Sequence, residues 1–427
     1  MRRNLWLLAL WAGLSVSLPA LELSLEQART QAREQSPALA RLRARLQEVE
    51  QKVAEVDAGG NPHLDFQARY SYISPTLSFG TFPIVVNNNY QAGVVLEQAL
   101  ATFGRLHWGH QAAQLQVRSV EQDLLRERDR LNYQVAVAYS RLQTTRQSIE
   151  VAEQSLQARE RLLHDLTARE KAGVSARFEI LVAEVAQAQD QQRLVLAQQQ
   201  SQLAQSQLQV LLGLPRTEAV QTQPLPAVTS LPGEVDKLVQ QALSQRAELR
   251  AIGFAVQSAE ARVQLEESQG NPTLGLQTRY DQRNSTTFQT ANQWSAGVEF
   301  RWPLFDGGLA QARSAQAEAA RVQLSEGRRE LERQVRLEVE EAMVRCRSAF
   351  LNLEVTRRNL TSAREAARLA ELRFQAGVGT HQEVLDGQAR FRDAQQGVFE
   401  AEQGIQEAHW QLQLALGSPA EPAPDSN

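Results

Sequence analysis

Three carboxylates stand at related places in this chain. Glu179 and Glu383 each lie six residues after a glycine, Gly173 and Gly377, that interrupts a long helical pattern, and Asp386 follows one turn later. A carboxylate in the first turn of a helix is favoured by the macrodipole, by ~0.3 to 1 kcal/mol. Repeated around a symmetry axis, the same residue becomes a ring of acid that selects cations and can hold a constriction. The dipole explains Asp386 less well than it explains Glu179 and Glu383. His107 and His110, near the start of a helix, could in principle share a metal. No third ligand accompanies them, so an exposed pair is the simpler reading and no metal site is assigned. Cys346 is the only cysteine, which excludes an internal disulfide and a multi-cysteine cluster and fits a helix seam. The sequence contains no GxxxxGK, HExxH or GxSxG. The remaining charged residues fall on helix faces, where a solvated surface is the default, so no catalysis and no cofactor are expected.

The elements that must position these residues follow from composition. Ala, Gln, Leu, Glu and Arg dominate the 427 residues, aromatics make up 6%, and the net charge is -4. That profile belongs to long helices and coiled coils, and without a basic face nucleic acid is not an expected partner. Residues 1–20 carry Arg2 and Arg3, then an apolar run from Leu5 to Val16, then Ser17 to Ala20. They read as a cleaved secretory signal, because the apolar run is shorter than the ~20 residues of a spanning helix. No later stretch is long and apolar enough for a membrane helix, so if the chain crosses a membrane, strands must do it.

The chain is also a copy of itself. Asn61-Pro62 with Gln67, Arg69 and Tyr70 recurs 210 residues on as Asn271-Pro272 with Gln277, Arg279 and Tyr280. Ala172-Gly173-Val174 recurs as Ala376-Gly377-Val378, and Leu212-Gly213 as Leu416-Gly417, both 204 residues on. The difference falls in the segment Ile73 to Asn89, which length variation marks as a loop. The expected organisation is a first repeat over 21–213, a proline-containing linker over 214–233, a second repeat over 234–417 and a disordered tail over 418–427.

Each repeat reads as helix, strand, loop, strand, long helix, turn, helix. Trp294, Ala296, Val298, Phe300 and Trp302 alternate with Ser295, Gly297, Glu299 and Arg301, giving one face for lipid and one for water. Leu64 to Tyr72 and Leu274 to Asp281 alternate likewise, whereas Val94 and Val95 break the pattern between Tyr90 and Leu100. Each segment is about 9 to 11 residues, the length of a tilted membrane strand. Trp108, Trp294 and Trp302 lie near strand ends and suit either an interfacial belt or packing. The helices carry a seven-residue repeat: Val135, Leu142, Ile149, Leu156 and Leu163, matched by Val339, Cys346, Leu353, Leu360 and Ala367. The returning helices show Val182, Leu196, Leu203 and Val210, and Val384, Phe391, Val398, Ile405 and Leu412. Sustained sevens mean coiled-coil seams. From Arg105 to Ala172 the rod should reach on the order of 100 Å.

Four strands cannot close a membrane barrel, since open edges leave backbone groups unpaired in hydrocarbon at several kcal/mol each. Several chains must pool their strands; two would reach the minimum of about eight and three would give twelve. At this point the chain resembles the outer-membrane efflux protein family, the TolC-like channels of tripartite pumps and type I secretion systems. The resemblance rests on the Asn-Pro before each first strand, Pro303-Leu304-Phe305-Asp306-Gly307-Gly308 after the last, both Ala-Gly-Val turns with Glu179 and with Glu383, Leu385 and Asp386, and the helix ends Leu211-Leu212-Gly213 and Leu416-Gly417. Their doubled order, over Leu23 to Gly417, carries it. The first copy departs from the closing motif with Ala99 to Gly104, where Gly104 should preserve the turn.

The resemblance implies a mainly α protein with a transmembrane β-barrel part: a homotrimer with a 12-strand barrel and a 12-helix coiled-coil tunnel, built from four strands and two helical hairpins per protomer. It implies an outer-membrane location with the tunnel in the periplasm, contact with outer-membrane lipid, a periplasmic adaptor (membrane fusion) protein and an inner-membrane transporter. It places a periplasmic gate at Glu179, Glu383 and Asp386, and adaptor docking at the hairpin tips, through Gly173, Val174, Leu181, Gly377, Val378 and Leu385. Gly379 stands where the family's gate has an arginine, which puts a salt-bridge lock of that kind in doubt. The rival expectation is a periplasmic or surface coiled-coil scaffold without channel activity; it explains the sevens but not strands of membrane length with apolar faces.

Overall fold

The computed structural model describes residues 21–75, 78–80, 82–83, 87–174, 176–230, 233–283 and 292–417. The expected signal over 1–20 and tail over 418–427 lie outside the described residues. In chain order the elements are β1 (Leu21–Leu23), α1 (Leu25–Gln35), α2 (Pro37–Ala58), β2 (His63–Tyr72), β3 (Ser78–Phe79), β4 (Phe82–Pro83), β5 (Asn88–Ala101) and α3 (Arg105–Lys171). There follow α4 (Arg177–Leu212), β6 (Val220–Thr222), α5 (Val235–Gln245), α6 (Ala247–Glu267), β7 (Thr273–Arg283), β8 (Asn292–Arg301), α7 (Leu309–Gln375) and α8 (His381–Leu416). The protein is mainly helical. The doubling is visible in the lengths: α3 and α7 both have 67 residues, and α4 and α8 both have 36.

The long helices start where glycine allows a sharp turn out of the sheet. Gly104 has φ +107° and Gly308 +87°, conformations that cost residues with a Cβ. The first copy keeps the turn despite its different residues. Thr102 and Asp306 occupy equivalent places before these glycines. The Thr102 hydroxyl accepts from the Leu106 amide at 3.3 Å, and the Asp306 carboxylate accepts from the Gly308 and Ala310 amides at 2.9 and 2.7 Å. Those amides hold the Asp306 carboxyl below the usual carboxylate range. Arg105 ties the first turn to the second repeat by donating to the carbonyls of Ser268, Gln269 and Asn271.

α3 and α7 run the full height of the helical part. Near the sheet, α2 packs on α3, α3 on α6 and α6 on α7; toward the hairpin turns the order is α4, α3, α8, α7. Two equivalent apolar cores lie at mid-height, where α1 gives way to α2 at Ser36-Pro37 and α5 to α6 at Arg246. In the first, Val135, Tyr139 and Leu142 of α3 meet Leu208 and Leu212 of α4. In the second, Val339, Met343 and Cys346 of α7 meet Ala408 and Leu412 of α8. Cys346 therefore fills a seam, and burial raises its thiol pKa.

The linker contains structure that the sequence pattern did not suggest. Val220–Thr222 pairs in parallel with Leu21–Leu23, and the pair is stapled to α3. The Tyr139 hydroxyl, wholly buried, lies 2.8 Å from the Leu23 carbonyl and 2.9 Å from that of Gln223, and Arg146 donates to the Val220 carbonyl. Tyr139→Phe leaves two carbonyls without this donor while preserving shape, which should cost about 1 to 3 kcal/mol. The expected result is a lower thermal midpoint in detergent with unchanged helical content; an unaltered midpoint would show that the staple carries no stability.

Candidate functional site

The sheet comes first because it decides where the helices begin. Its order is β2–β5–β7–β8, antiparallel throughout. Register puts Phe66 opposite Val94, Val94 opposite Tyr280 and Tyr280 opposite Trp294, so one face carries Leu64, Phe66, Tyr70, Val94, Tyr280, Trp294 and Val298. These side chains are exposed, Leu64 by 70% and Phe66 by 73%. The opposite face carries Gln67, Arg69, Arg279, Glu299 and Arg301, with Asp65, Glu97 and Asp281. Its polar groups pair across strands, Gln277 donating to Glu97 at 2.7 Å and Gln91 to Asp281 at 3.2 Å, and along β8, where Arg301 donates to Glu299 at 2.7 Å. β5 is the strand whose alternation the sequence obscured, and its pairing slips between Ala99 and Ala101. Val95 falls on the polar face and is buried there, so Val94 and Val95 do occupy opposite faces. Gly93 permits close strand approach, since a Cβ there would lie 2.3 Å from the Asp281 carboxylate. Trp294 and Trp302 are exposed, whereas Trp108 packs with the cluster of Ala112, Leu115 and Ala261. His110 meets Asp57 of α2 at 2.6 Å and His107 stacks edge-on to Trp108, so the two histidines have separate partners. Among the described residues no helix is long and apolar enough to cross a membrane, and no group of three or more His, Cys, Asp and Glu side chains is placed to hold a metal ion.

At the other end of the helices lie the hairpin turns. Gly173 and Gly377 adopt φ +73° and +76°, and the Val174 and Val378 amides return to the Arg169 and Arg373 carbonyls at 2.9 and 3.0 Å. This is the left-handed ending that satisfies terminal carbonyls of a helix. Thr380 caps α8, its hydroxyl accepting from the Glu383 amide at 3.2 Å. Glu179 and Glu383 stand in the first turns of α4 and α8, where the dipole favours them. Glu383 faces Arg373 at 3.7 Å, and Asp386 accepts from Gln382 at 2.8 Å; both carboxylates are exposed. A Cβ at residue 379 would lie 2.9 Å from Cβ of Arg373, which explains Gly379. An arginine does stand at this tip, contributed by α7 rather than by the turn. Of the apolar residues expected to make docking contacts, Val174, Leu181 and Val378 are exposed. Leu385 is corrected: it is only 7% exposed, because it faces the seam within the protomer and not the outside.

Two further features near the tips escaped the sequence pattern. The Arg169 guanidinium lies 4.8 Å from the Phe374 ring centroid, joining the first hairpin to the second. Higher up, Asp190 is buried among Arg159, Arg193 and Arg392. A charged residue at a seam position otherwise filled by Ala183, Ala197 and Ala204 was the available signal. Within the protomer those alanines, rather than the larger residues beside them, are the buried positions of α4. Leu196, Leu203 and Val210 recur in sevens but face outward, Leu203 by 65% and Val210 by 77%.

The chain belongs to the outer membrane efflux protein family, whose model matches residues 28–214 and 238–418. It is 26% identical over 291 residues to the pyoverdine export outer membrane protein OpmQ of Pseudomonas putida, covering 66% of this chain and 61% of that protein. It is 26% identical over 193 residues to the outer membrane protein TolC of Vibrio cholerae, covering 44% of each. The matched segments thus span less than two thirds of either relative. In fold it is similar to the outer membrane protein VceC from Vibrio cholerae, with a TM-score of 0.78 at 20% identity, covering 93% of this chain and 97% of that one. The family and the fold are those of channels and not of enzymes.

His381 stands at the first position of α8, 5% exposed, against the Phe374 ring, and neither ring nitrogen has a hydrogen-bond partner. Burial lowers its pKa, opposed by Glu179 and reinforced by Arg159. A base with a lowered folded pKa binds fewer protons folded than unfolded, so stability falls as pH drops below the ordinary imidazole value of about 6.5. His381→Leu should flatten this acid limb of the thermal midpoint; the half-buried His409 has a lowered pKa too and should retain its own share. An acid limb identical to that of the unsubstituted protein would exclude His381 as a contributor.

Proposed function

We propose that three copies of this chain form an outer-membrane exit duct of a tripartite efflux pump or type I secretion system, a passive conduit opened when a periplasmic adaptor docks. In this reading residues 1–20 direct export, the sheets join into a 12-strand barrel in outer-membrane lipid, and the helices form a 12-helix tunnel in the periplasm. The tunnel leads toward an inner-membrane transporter. Glu179, Glu383 and Asp386 become rings of carboxylate at the periplasmic mouth, and the tips, through Gly173, Val174, Leu181, Gly377 and Val378, receive the adaptor.

One observation carries the reading: the sheet and the helix layer both end on unfinished edges, one from each repeat. Among the described residues β2 and β8 each pair on one side only, which an isolated sheet could not sustain in hydrocarbon. α4 and α7 flank the helix layer, and each exposes an apolar stripe: Val185, Leu196, Leu203 and Val210 on α4; Val344, Leu351, Val355 and Leu369 on α7. The stripes match in height. Counted from Val174 and Val378, Leu196 and Val355 are 22 and 23 residues away, Leu203 and Leu351 29 and 27, Val210 and Val344 36 and 34. At ~1.5 Å per residue these agree to about 3 Å. A second copy brings α7 against α4, antiparallel, and buries both stripes in a coiled-coil seam. Two adjoining copies supply only eight strands; three supply twelve, wide enough for water among the polar inner side chains.

The seam is directly testable. In a Cys346→Ala background, Leu203→Cys combined with Leu351→Cys should give covalent trimers when oxidised or bridged with a short bis-maleimide, while either substitution alone should not. Covalent species absent at every protein concentration would refute this assembly and leave the scaffold reading standing.

A further inference from the structure

Resting on that assembly, the Asn-Pro before each first strand acquires a place. Asn271 lies between α6 and β7, and its side-chain amide donates to the Phe103 carbonyl at 2.8 Å, closing the turn from β5 into α3. This is the joint between the two repeats of one chain, where β5 pairs with β7. Asn61 is the copy of Asn271, and Gly307 is the copy of Phe103. Phe103 and Gly307 share a positive φ, +46° and +70°. Asn61 and Gly307 are exposed, and among the described residues the Asn61 side chain makes no hydrogen bond. The motif is satisfied at the inner joint and left open beside β2 and β8, the two edges of the sheet.

The inner joint predicts the register of the outer one. Val94 faces Tyr280, Val95 faces Arg279 and Glu97 faces Gln277. Displacing β5 by 204 residues and β7 by 210 sets Val298 of one copy against Tyr70 of the next, Glu299 against Arg69, and Arg301 against Gln67. The same displacement brings Asn61 to the Gly307 carbonyl. Val298 and Tyr70 both belong to the apolar face. Gln277 donates to Glu97 at the inner joint, and Gln67 can accept from Arg301 at the outer one, since an amide side chain serves either role. Glu299 and Arg69 carry opposite charges where the inner joint has Val95 and Arg279. Within its own chain Arg69 is exposed and, among the described residues, has no ion pair.

Two separate chains must find this register by association. A slip of one residue would turn Glu299 and Arg301 toward lipid, so only slips of two keep the faces. One such slip sets Arg301 against Arg69, a like-charge pair that destabilises facing strands. The other sets Arg301 against Asp65 but parts Asn61 from the Gly307 carbonyl.

We propose that β8 of one copy joins β2 of the next in the register of the β5–β7 pair, with an ion pair from Glu299 to Arg69 across the joint and the Asn61 amide donating to the Gly307 carbonyl. Charge and amide together select one register at the joint between chains.

Cross-links of defined register test this. In a Cys346→Ala background, Glu299→Cys with Arg69→Cys should give covalent trimers on oxidation, as should Arg301→Cys with Gln67→Cys, which keeps the ion pair. Arg301→Cys with Asp65→Cys and Arg301→Cys with Arg69→Cys report the two slipped registers and should not link. Linkage through a slipped pair in place of the first two would overturn the register. Absence of linkage in every strand pair would overturn it too, with the assembly standing if Leu203→Cys and Leu351→Cys still link and failing if they do not. Charge reversal tests the ion pair itself: Arg69→Glu or Glu299→Arg alone should lower the temperature at which trimers dissociate in detergent, and the two together should recover it. A double variant no more resistant than the single ones would refute the pairing.

Discussion

Among the described residues, the backbone amides and carbonyls along β2 and β8 have strand partners on one side only. Inside a bilayer no water can satisfy the other side, and each unpaired group costs several kcal/mol. The remaining architecture answers that constraint. Apolar side chains on one face of the sheet and paired polar side chains on the other are useful only when the sheet closes around water. Closure requires more strands than one chain supplies, so a protomer that ends its sheet on open edges also has to end its helix layer on open edges at the same angular positions. The outward stripes of α4 and α7 meet that requirement.

A doubled sequence makes such closure economical, because each repeat presents nearly the same set of edges and the proposed ring would alternate between joints within a chain and joints between chains. The doubling is close in geometry: equal helix lengths, left-handed glycines at equivalent turns, and Thr102 and Asp306 capping equivalent helices. It is not close in chemistry. The first core is stapled by Tyr139 and Arg146 to the linker, where the second has Met343 and Phe350. The first hairpin carries the buried Asp190, where the second has Ala394.

Much of this fold was legible in the sequence because its signals are periodic. Alternation over Trp294 to Trp302 and Leu64 to Tyr72 marked strands with a lipid-compatible face, and uninterrupted sevens marked α3 and α7. What periodicity could not supply was which neighbour a stripe faces. Leu196, Leu203 and Val210 mark a coiled-coil seam in the sequence, but within the protomer alanines one residue along their sevens are the buried positions and the larger side chains are exposed. Leu385 likewise has the right residue type at a tip and is buried within the protomer. The parallel pair β1 and β6 is three residues long on each strand, too short for any pattern. Asp190 and Arg392 are distant in sequence and meet only because α3 lies between their helices.

The central claim is that this chain makes a water-filled passage only as a trimer embedded in membrane. It is tested most directly by the single-channel conductance of the purified mature protein in planar bilayers, with its oligomeric mass determined in the same detergent. Discrete, cation-preferring openings from a species of three chains are the predicted result. A monomer that stays in solution without detergent and leaves the bilayer silent would contradict it.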